Sequence, residues 1–324
     1  MKRIALAIPV LFAILLFVFR LLDTGLESLR PDGIRPGASM SAEEIEARIE
    51  QFRQAHHLQD PFLMRFGHWL KRLAQADLGV SLFRPRSVRE IIAAAAPTTL
   101  TMQGLALLLT FGLGVPIGVF MARRRDRWSD RALGIALYGL FAVPAFWTAT
   151  LLVTYLATKA GFEIFPLRGL ASRDLDEAGF IRKFVVGAWH LVLPVTTLSI
   201  AGIVFVARLV RDGLVEELDR DWARTFRAAG VSERRVVWRY ALRRVAVPVC
   251  AHLGYLVPGL VSGSLVVEQV FDLPGLGRVL WFSTFERDIP VQQGLVLLTA
   301  LFTLAGFVLS DLLVASLGPR KGGS

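Results

Sequence analysis

Residues Asp212–Arg244 read DGLVEELDRDWARTFRAAGVSERRVVWRYALRR, and the rest of the chain is organised around them. Charges of both signs are too dense here for the stretch to lie in lipid. Yet Trp222, Phe226, Val231, Val236, Val237 and Tyr240 recur at roughly helical spacing. Gly230 suits the left-handed position just past a helix end. Ser232 suits the N-cap of the next helix, and Glu233 falls in its first turn, where a negative charge complements the dipole. The stretch therefore predicts two amphipathic helices joined at Gly230-Val231-Ser232, with an apolar segment at each end. A helix pair held this way at the edge of a membrane is a docking surface.

Of the 324 residues, 54% are hydrophobic, which excludes an ordinary soluble domain and predicts a multi-span membrane protein. The formal net charge is +10. In a soluble chain that would raise nucleic acid as a partner. Here the excess gathers in short loops, as expected of cytoplasmic segments, and no nucleic-acid partner is expected. The single cysteine, Cys250, lies in an apolar run, which excludes an internal disulfide and a thiolate metal cluster. His56 and His57 are adjacent but lack any metal-ligand spacing, so no metal is expected. No GxxxxGK[ST] occurs. If ATP drives this protein, another chain binds it, and no cofactor is expected on this one.

Met1-Lys2-Arg3 precedes an apolar run, Ile4–Leu22, about long enough to span. A signal peptide shares this pattern, but the core is long and no small-x-small site follows, which favours an uncleaved span within residues 1–22. Residues 23–96 form a polar external insert. In it Ser41-Ala42-Glu43-Glu44 predicts a capping box, with Ile45, Ile49 and Phe52 on one helical face. Asp60-Pro61 predicts a second helix start, followed by a face of Phe62, Phe66, Trp69, Leu70 and Leu73. Further spans are expected at Pro97–Met121, Leu133–Ala157 (kinked by Pro144), Trp189–Val210, Val245–Val267 and Val291–Leu317. Gly114 and Gly118, and again Gly259 and Gly263, are spaced for close helix approach. Arg123-Arg124-Arg125-Asp126-Arg127 is a short basic loop and orients the whole: six transmembrane helices, both termini cytoplasmic, with residues 212–244 and the tail 318–324 on the same side.

Two further features could carry function. Asp311 is an acid within the last span, either a pathway group or a structural acid near the inner end. Asp272-Leu273-Pro274-Gly275-Leu276-Gly277 is an outer turn preceded by Glu268 and Gln269. It is either a tight loop or a gate element at a translocation path. Catalysis finds no support: there is no GxSxG and no facing pair of intramembrane carboxylates. Without an internal repeat, a secondary carrier built from inverted repeats is also disfavoured, and a self-sufficient carrier, channel or membrane enzyme stands as the alternative to a protein driven by another chain.

Several stretches together resemble the permease subunits, of the first of two types, in the dipeptide/oligopeptide and nickel ABC importers. The run DWARTFRAAGVSERR, Asp221–Arg235, is similar to the family's cytoplasmic coupling loop. EQVFDLPGLG, Glu268–Gly277, is similar to its acidic-aromatic-PGLG loop, and RDIPVQQG, Arg287–Gly294, to its RDYPVVQG run. LQDPFLMRFGHWLKRLAQADLGVSL matches the outer insert, and with TLTMQGLALLLTFGLGVPIGV the likeness covers nearly the whole chain.

The resemblance implies an all-α membrane protein of the type I ABC importer permease fold in a bacterial cytoplasmic (inner) membrane. It implies alternating access driven by two ATP-binding subunits, which hold ATP and Mg, together with a sister permease and an extracytoplasmic solute-binding protein. Asp221, Trp222, Arg224, Thr225, Phe226, Arg227, Gly230, Ser232 and Glu233 would form the ATPase-docking element, with Trp222 and Phe226 as apolar anchors in the ATPase cleft. Arg224 and Arg227 would face acidic groups there or water. Glu268, Gln269, Pro274, Gly275, Gly277 and Asp311 would belong to the gate or pathway. The chain departs from the family at Phe226, where alanine is usual, and at Phe307, where asparagine is common, while Asp311 matches the family acid. An APGDP-like stretch is replaced by material near Arg30-Pro31-Asp32-Gly33. Phe165–Leu170 is similar to the branch linked to microcin-type peptides. These departures bear on the substrate, not on the class.

Overall fold

The computed structural model describes residues 9, 11–20, 23, 41–55, 60–167, 169, 179–256 and 264–317. Among them no strand forms, only a lone antiparallel bridge between Val80 and Ser87. In chain order the helices are α1 (Leu11–Arg20), α2 (Ala42–Ala55), α3 (Phe62–Ala74), α4 (Val88–Arg123), α5 (Trp128–Ala142), α6 (Ala145–Leu156) and α7 (Phe180–Asp219). There follow α8 (Asp221–Ala228), α9 (Glu233–Arg235), a π-helical turn (Val236–Ala241), α10 (Leu242–Leu256), α11 (Leu265–Val270), α12 (Leu276–Glu286) and α13 (Ile289–Leu317).

Within these residues α4, α7 and α13 are each long and apolar enough to cross a membrane, and α5 with α6 makes a fourth crossing if the pair is one span. Leu108, Ile135 and Leu312 are among the large apolar side chains left exposed on these helices, as expected where the solvent is lipid. The helices overrun the apolar runs. α4 begins at Val88 rather than near Pro97, and α7 runs through to Asp219, so residues 212–219 prolong that helix instead of opening a loop. The third expected span is not one kinked rod. α5 and α6 meet at 96° across Val143-Pro144, because a residue before proline is driven out of the helical region and Val143 sits at φ −81°, ψ 121°. Of the expected runs Ile4–Leu22 and Val245–Val267, residues 11–20, 245–256 and 265–267 are helical, while 257–263 lie outside the described residues, as do Arg30–Gly33, His56, His57 and the 318–324 tail.

The chain forms two compact units. The first comprises Met1–Thr99, Val261–Leu265 and Pro274–Leu304. The expected capping box is present and reciprocal: Glu44 N–H donates to Ser41 Oγ at 3.3 Å and Ser41 N–H to Glu44 Oε2 at 2.9 Å. α3 starts one residue later than expected, with Pro61 rather than Asp60 at the N-cap. Its Phe66 and Trp69 pack on Phe19 of α1 at centroid distances of 5.4 Å, and Arg65 pairs with Asp23 at 2.6 Å, both buried. α13 lies tightly against α4 at Gly294, where a Cβ would sit 2.6 Å from Val88 Cγ1.

The second unit comprises Leu100–Leu260, Val266–Leu273 and Ala305–Ser324. Its axis is the seam between α4 and α7. A Cβ on Gly114 would meet Val206 Cβ at 2.9 Å, one on Gly118 would meet the Ala207 carbonyl oxygen at 2.5 Å, and one on Gly202 would meet Thr110 Oγ1 at 2.7 Å. Small residues face bulk from the opposite helix at each step, so the Gly114/Gly118 spacing is a packing device, as read from the sequence. Below the seam, Val119, Val206, Val210, Leu214, Val237, Ala241 and Val245 form a buried cluster that fixes α10 and the π turn to α4 and α7.

Candidate functional site

The polar interval folds as a short arm on that cluster. α7 ends at Arg220, whose ψ of 154° breaks the helix, and α8 turns back for eight residues. It closes with the two backbone bonds of a Schellman motif: Val231 N–H to Phe226 O and Gly230 N–H to Arg227 O, both 3.0 Å. Gly230 supplies the required left-handed backbone at φ +77°. Nothing lies within 4 Å of where its Cβ would be, so conformation rather than space demands glycine there. Ser232 takes the N-cap position, but its hydroxyl makes no cap bond. Its carbonyl accepts from Arg235 and Val236 instead.

Glu233 lies in the next first turn as expected, with a partner the sequence did not indicate. Arg227 Nε and Nη2 donate to its carboxylate at 2.9 and 3.1 Å, while Arg227 Nη1 reaches the Leu218 carbonyl at 3.2 Å. The hydrogen bond from Arg227 holds the Glu233 carboxyl below its ordinary range and raises the guanidinium in return. Arg227 therefore clamps the two helices together rather than reaching outward.

The aromatic anchors also serve the chain itself. Phe226 stacks on Tyr240 of the π turn at 4.7 Å, and Trp222 lies edge-on to Phe226 with Arg244 over its face. Trp222 Nε1–H donates to Glu217, a nearly buried carboxylate that also pairs with Arg220 and Arg244. Both rings are half-buried, whereas Asp221, Arg224, Thr225, Ala228, Ala229 and Gly230 remain exposed. Arg224 pairs only loosely with Asp221, at 3.5 Å. The outward surface of α8 is thus its small and charged face, on a base locked by aromatic and ionic contacts. Glu217, Tyr240 and Arg244 complete that base. Their roles could not be read from periodicity, because each meets α8 from another element.

The arm is tied further to the basic loop after α4. Arg125 Nη1 donates to Asp219 Oδ2 at 2.5 Å. Asp130, buried in the first turn of α5, accepts from Arg211 at 2.8 Å.

A second constellation lies in the first unit, where three of the sequence motifs converge. Asp288 follows α12, whose end is another Schellman motif: Asp288 N–H to Ser283 O at 2.8 Å and Arg287 N–H to Thr284 O at 3.3 Å. Here Arg287, not glycine, is left-handed at φ +56°. The Asp288 carboxylate is buried and accepts from the Ser81 hydroxyl and from the Leu82 amide at 3.2 Å. Ser81 Oγ in turn accepts from the Phe83 and Arg84 amides, so its proton is directed at Asp288. Burial pushes the Asp288 carboxyl up despite these donors. Beside it Arg84 pairs with Glu286 at 3.2 Å. The PGLG turn joins them: Leu276 N–H, an orphan donor at the start of α12, is capped by the buried Thr99 Oγ1 at 2.8 Å. A cleft of about 530 Å³ opens between these parts, lined by Arg84, Arg86, Arg278, Pro274, Gly275 and Phe282 among others.

The expected gate residues are divided between the two units. Pro274, Gly275 and Gly277 belong to the first unit, and Glu268, Gln269 and Asp311 to the second. Glu268 is fully buried in α11, Gln269 is exposed, and the helix ends in a third Schellman motif with Asp272 at φ +54°. Asp311 is half-buried on α13 beside Ser310, whose hydroxyl donates to the carbonyls of Cys250 and Ala251 on α10.

Comparison with known proteins finds relatives along nearly the whole chain. The family model described as "Binding-protein-dependent transport system inner membrane component" matches residues 114–323. A Brucella abortus (strain 2308) protein named for a peptide transport system permease is 35% identical over 321 residues, covering 99% of this chain and 97% of its own. The oligopeptide transport system permease proteins AppB of Bacillus subtilis and OppB of Salmonella typhimurium are each 30% identical, covering 98% and 99% of this chain and 97% of their own. Among solved structures, a chain of the MetNI methionine ABC transporter, in inward facing conformations, aligns with a TM-score of 0.51 at 18% identity. It covers 71% of this chain and 97% of that one, and so shares the fold.

Proposed function

Because this chain belongs to the family of binding-protein-dependent transport system inner membrane components, we propose that it works as one of two permease subunits in an ATP-driven importer of di- or oligopeptides or related small solutes. It is an integral membrane permease subunit and not an enzyme. The observation that carries the fuller reading is the arm at Asp221–Gly230: a helix whose outward face is polar and small, while its aromatic face is spent on holding it rigid. Such an element transmits force only if something grips it. Two ATP-binding subunits, which hold the ATP and Mg, supply the grip. When they close, α8 is carried with them. The Arg227–Glu233 clamp and the Tyr240 stack pass the displacement to α7 and α10, and the pore alternates its access.

The basic loop Arg123–Arg127 and the arm lie on the cytoplasmic side, as do both termini, in keeping with the charge bias of short inner segments. The cleft bordered by Arg84, Arg86 and Arg278 is built from the external insert and the outer loop of the sequence, the side on which an extracytoplasmic binding protein delivers the solute. The sister permease completes the pore.

The test is at Gly230. A non-glycine residue at φ +77° costs about 1–2 kcal/mol, more if β-branched and less for asparagine. Gly230→Asn should keep the coupling of binding-protein-stimulated ATP hydrolysis to uptake, and Gly230→Val should lose it in the assembled importer. Full stimulation with full uptake in Gly230→Val would refute the role given to the turn.

A further inference from the structure

The end of α4, the loop after it and the π turn enclose a pocket of about 380 Å³ lined by Pro116, Val119, Phe120, Arg123, Arg124, Arg127 and Trp238. Its composition changes with depth. Pro116, Val119 and Phe120 belong to a helix apolar enough to cross the membrane, whereas the arginines close its polar end. The neighbouring acids are already engaged: Asp219 and Asp126 by Arg125, Asp130 by Arg211, and Glu233 by Arg227. Among the described residues no carboxylate forms an ion pair with Arg123, Arg124 or Arg127, although Glu233 feels the charge of Arg123 from beyond that distance. Arg124 instead stands over the Phe120 ring at 4.5 Å, which holds its guanidinium at the boundary between apolar wall and basic rim. Phe120 and Trp238, both in the pocket lining, are about two-fifths exposed, as aromatic rings at headgroup level are.

We propose that this pocket binds the phosphate headgroup of an anionic phospholipid, with one acyl chain along Pro116, Val119 and Phe120. A soluble anion would satisfy the guanidinium groups but leave the apolar wall bare, and a zwitterionic lipid would bring its own cation against them. An amphiphile with net negative charge satisfies both halves. Trp238 belongs to the π turn that carries Tyr240, the residue stacked under α8. A bound lipid therefore braces the base of the arm and makes its stiffness depend on the membrane's anionic content. This rests on the permease reading only in taking α4 as a membrane span.

The test uses the importer purified with its partner subunits. Retention of phosphatidylglycerol and of phosphatidylcholine is measured by native mass spectrometry and by titration in nanodiscs. Wild type should prefer phosphatidylglycerol, and millimolar inorganic phosphate should not displace it. The triple variant Arg123→Gln/Arg124→Gln/Arg127→Gln should bind it ~100-fold more weakly, each guanidinium being worth about fivefold. The corresponding triple arginine-to-lysine variant should bind it nearly as wild type does. If the triple glutamine variant does not fold, Arg127→Gln alone should still show about a fivefold loss. Equal retention of both lipids, unchanged retention in the glutamine variants, or displacement by inorganic phosphate would each overturn the proposal. So would loss of the ATP-binding subunits from the glutamine variants with lipid retention intact, since the arginines would then be a protein contact.

Discussion

Gly112 and Gly118 lie on the same helix, six residues apart, and alanine should act on them in opposite directions. At Gly118 the added Cβ would lie 2.5 Å from the Ala207 carbonyl oxygen and 2.8 Å from Val210 Cβ. Carbon–oxygen contacts settle at about 3.3–3.6 Å, so α4 and α7 must part by about 0.8 Å or more. The obstructing atoms are backbone and a Cβ, neither of which can rotate away. Overpacking of this kind costs about 1–3 kcal/mol, and the upper half of that range applies here. At Gly112 nothing lies within 4 Å. Alanine there only stiffens the helix, a gain of up to ~1 kcal/mol. Because both sites are helix interior, that gain is common to the two variants and cancels in their difference. Gly118→Ala should therefore be about 2–3 kcal/mol less stable than Gly112→Ala. SDS-titration unfolding in mild detergent, followed by near-ultraviolet circular dichroism, measures the gap. Equal midpoints, or a more stable Gly118→Ala, would refute the account of the seam.

Other outcomes follow from the two sites. A double-mutant cycle on Arg227→Gln and Glu233→Gln should give a coupling of only about 0.5–1 kcal/mol, because both groups are more than a third exposed and water screens the pair. Glu233 titrates below its ordinary value when folded, so this contribution should be present at neutral pH and vanish as pH falls through that lowered value, which an acid titration of stability would show. Asp288→Ala should cost about 1–3 kcal/mol in the unfolding titration by stranding the Ser81 hydroxyl and the Leu82 amide. Burial raises the Asp288 carboxyl, so the stability it contributes is fully present below its unfolded value and declines as pH rises through the folded one. The stability of Asp288→Asn relative to wild type should accordingly grow as pH rises above the ordinary aspartate value, and a constant gap would count against the burial argument.

The helical, membrane-spanning class and the Gly230 turn were legible because each has a local signature: hydropathy runs, and the one residue type that favours a left-handed end. The Ser41–Glu44 capping box is local in the same way. What escaped was set by partners distant in sequence. Residues 212–219 look like loop by charge, yet they continue α7, since Arg211 and Glu217 find partners in Asp130, Arg220 and Arg244. The ends of α11 and α12 place Asp272 and Arg287, not glycine, in the left-handed position, so no residue type marked them. Trp222 and Phe226 read as anchors for a partner because apolar spacing shows that a face will be covered but not by what. Part of the cover comes from Tyr240 and Arg244 of the same chain, and both rings stay half-buried. Likewise Ser81 and Asp288 fall in two family-like motifs 207 residues apart, and only the fold joins them.

The central claim is that α8 faces the cytoplasm and is gripped by an ATP-binding subunit. Arg224, 72% exposed on its outward face, offers the most direct test. With Cys250→Ser as background, Arg224→Cys should react with a membrane-impermeant maleimide in inverted vesicles but not in right-side-out ones, and added ATP-binding subunits should suppress the reaction. Labelling in right-side-out vesicles, or labelling in inverted vesicles that the ATP-binding subunits leave unchanged, would contradict it.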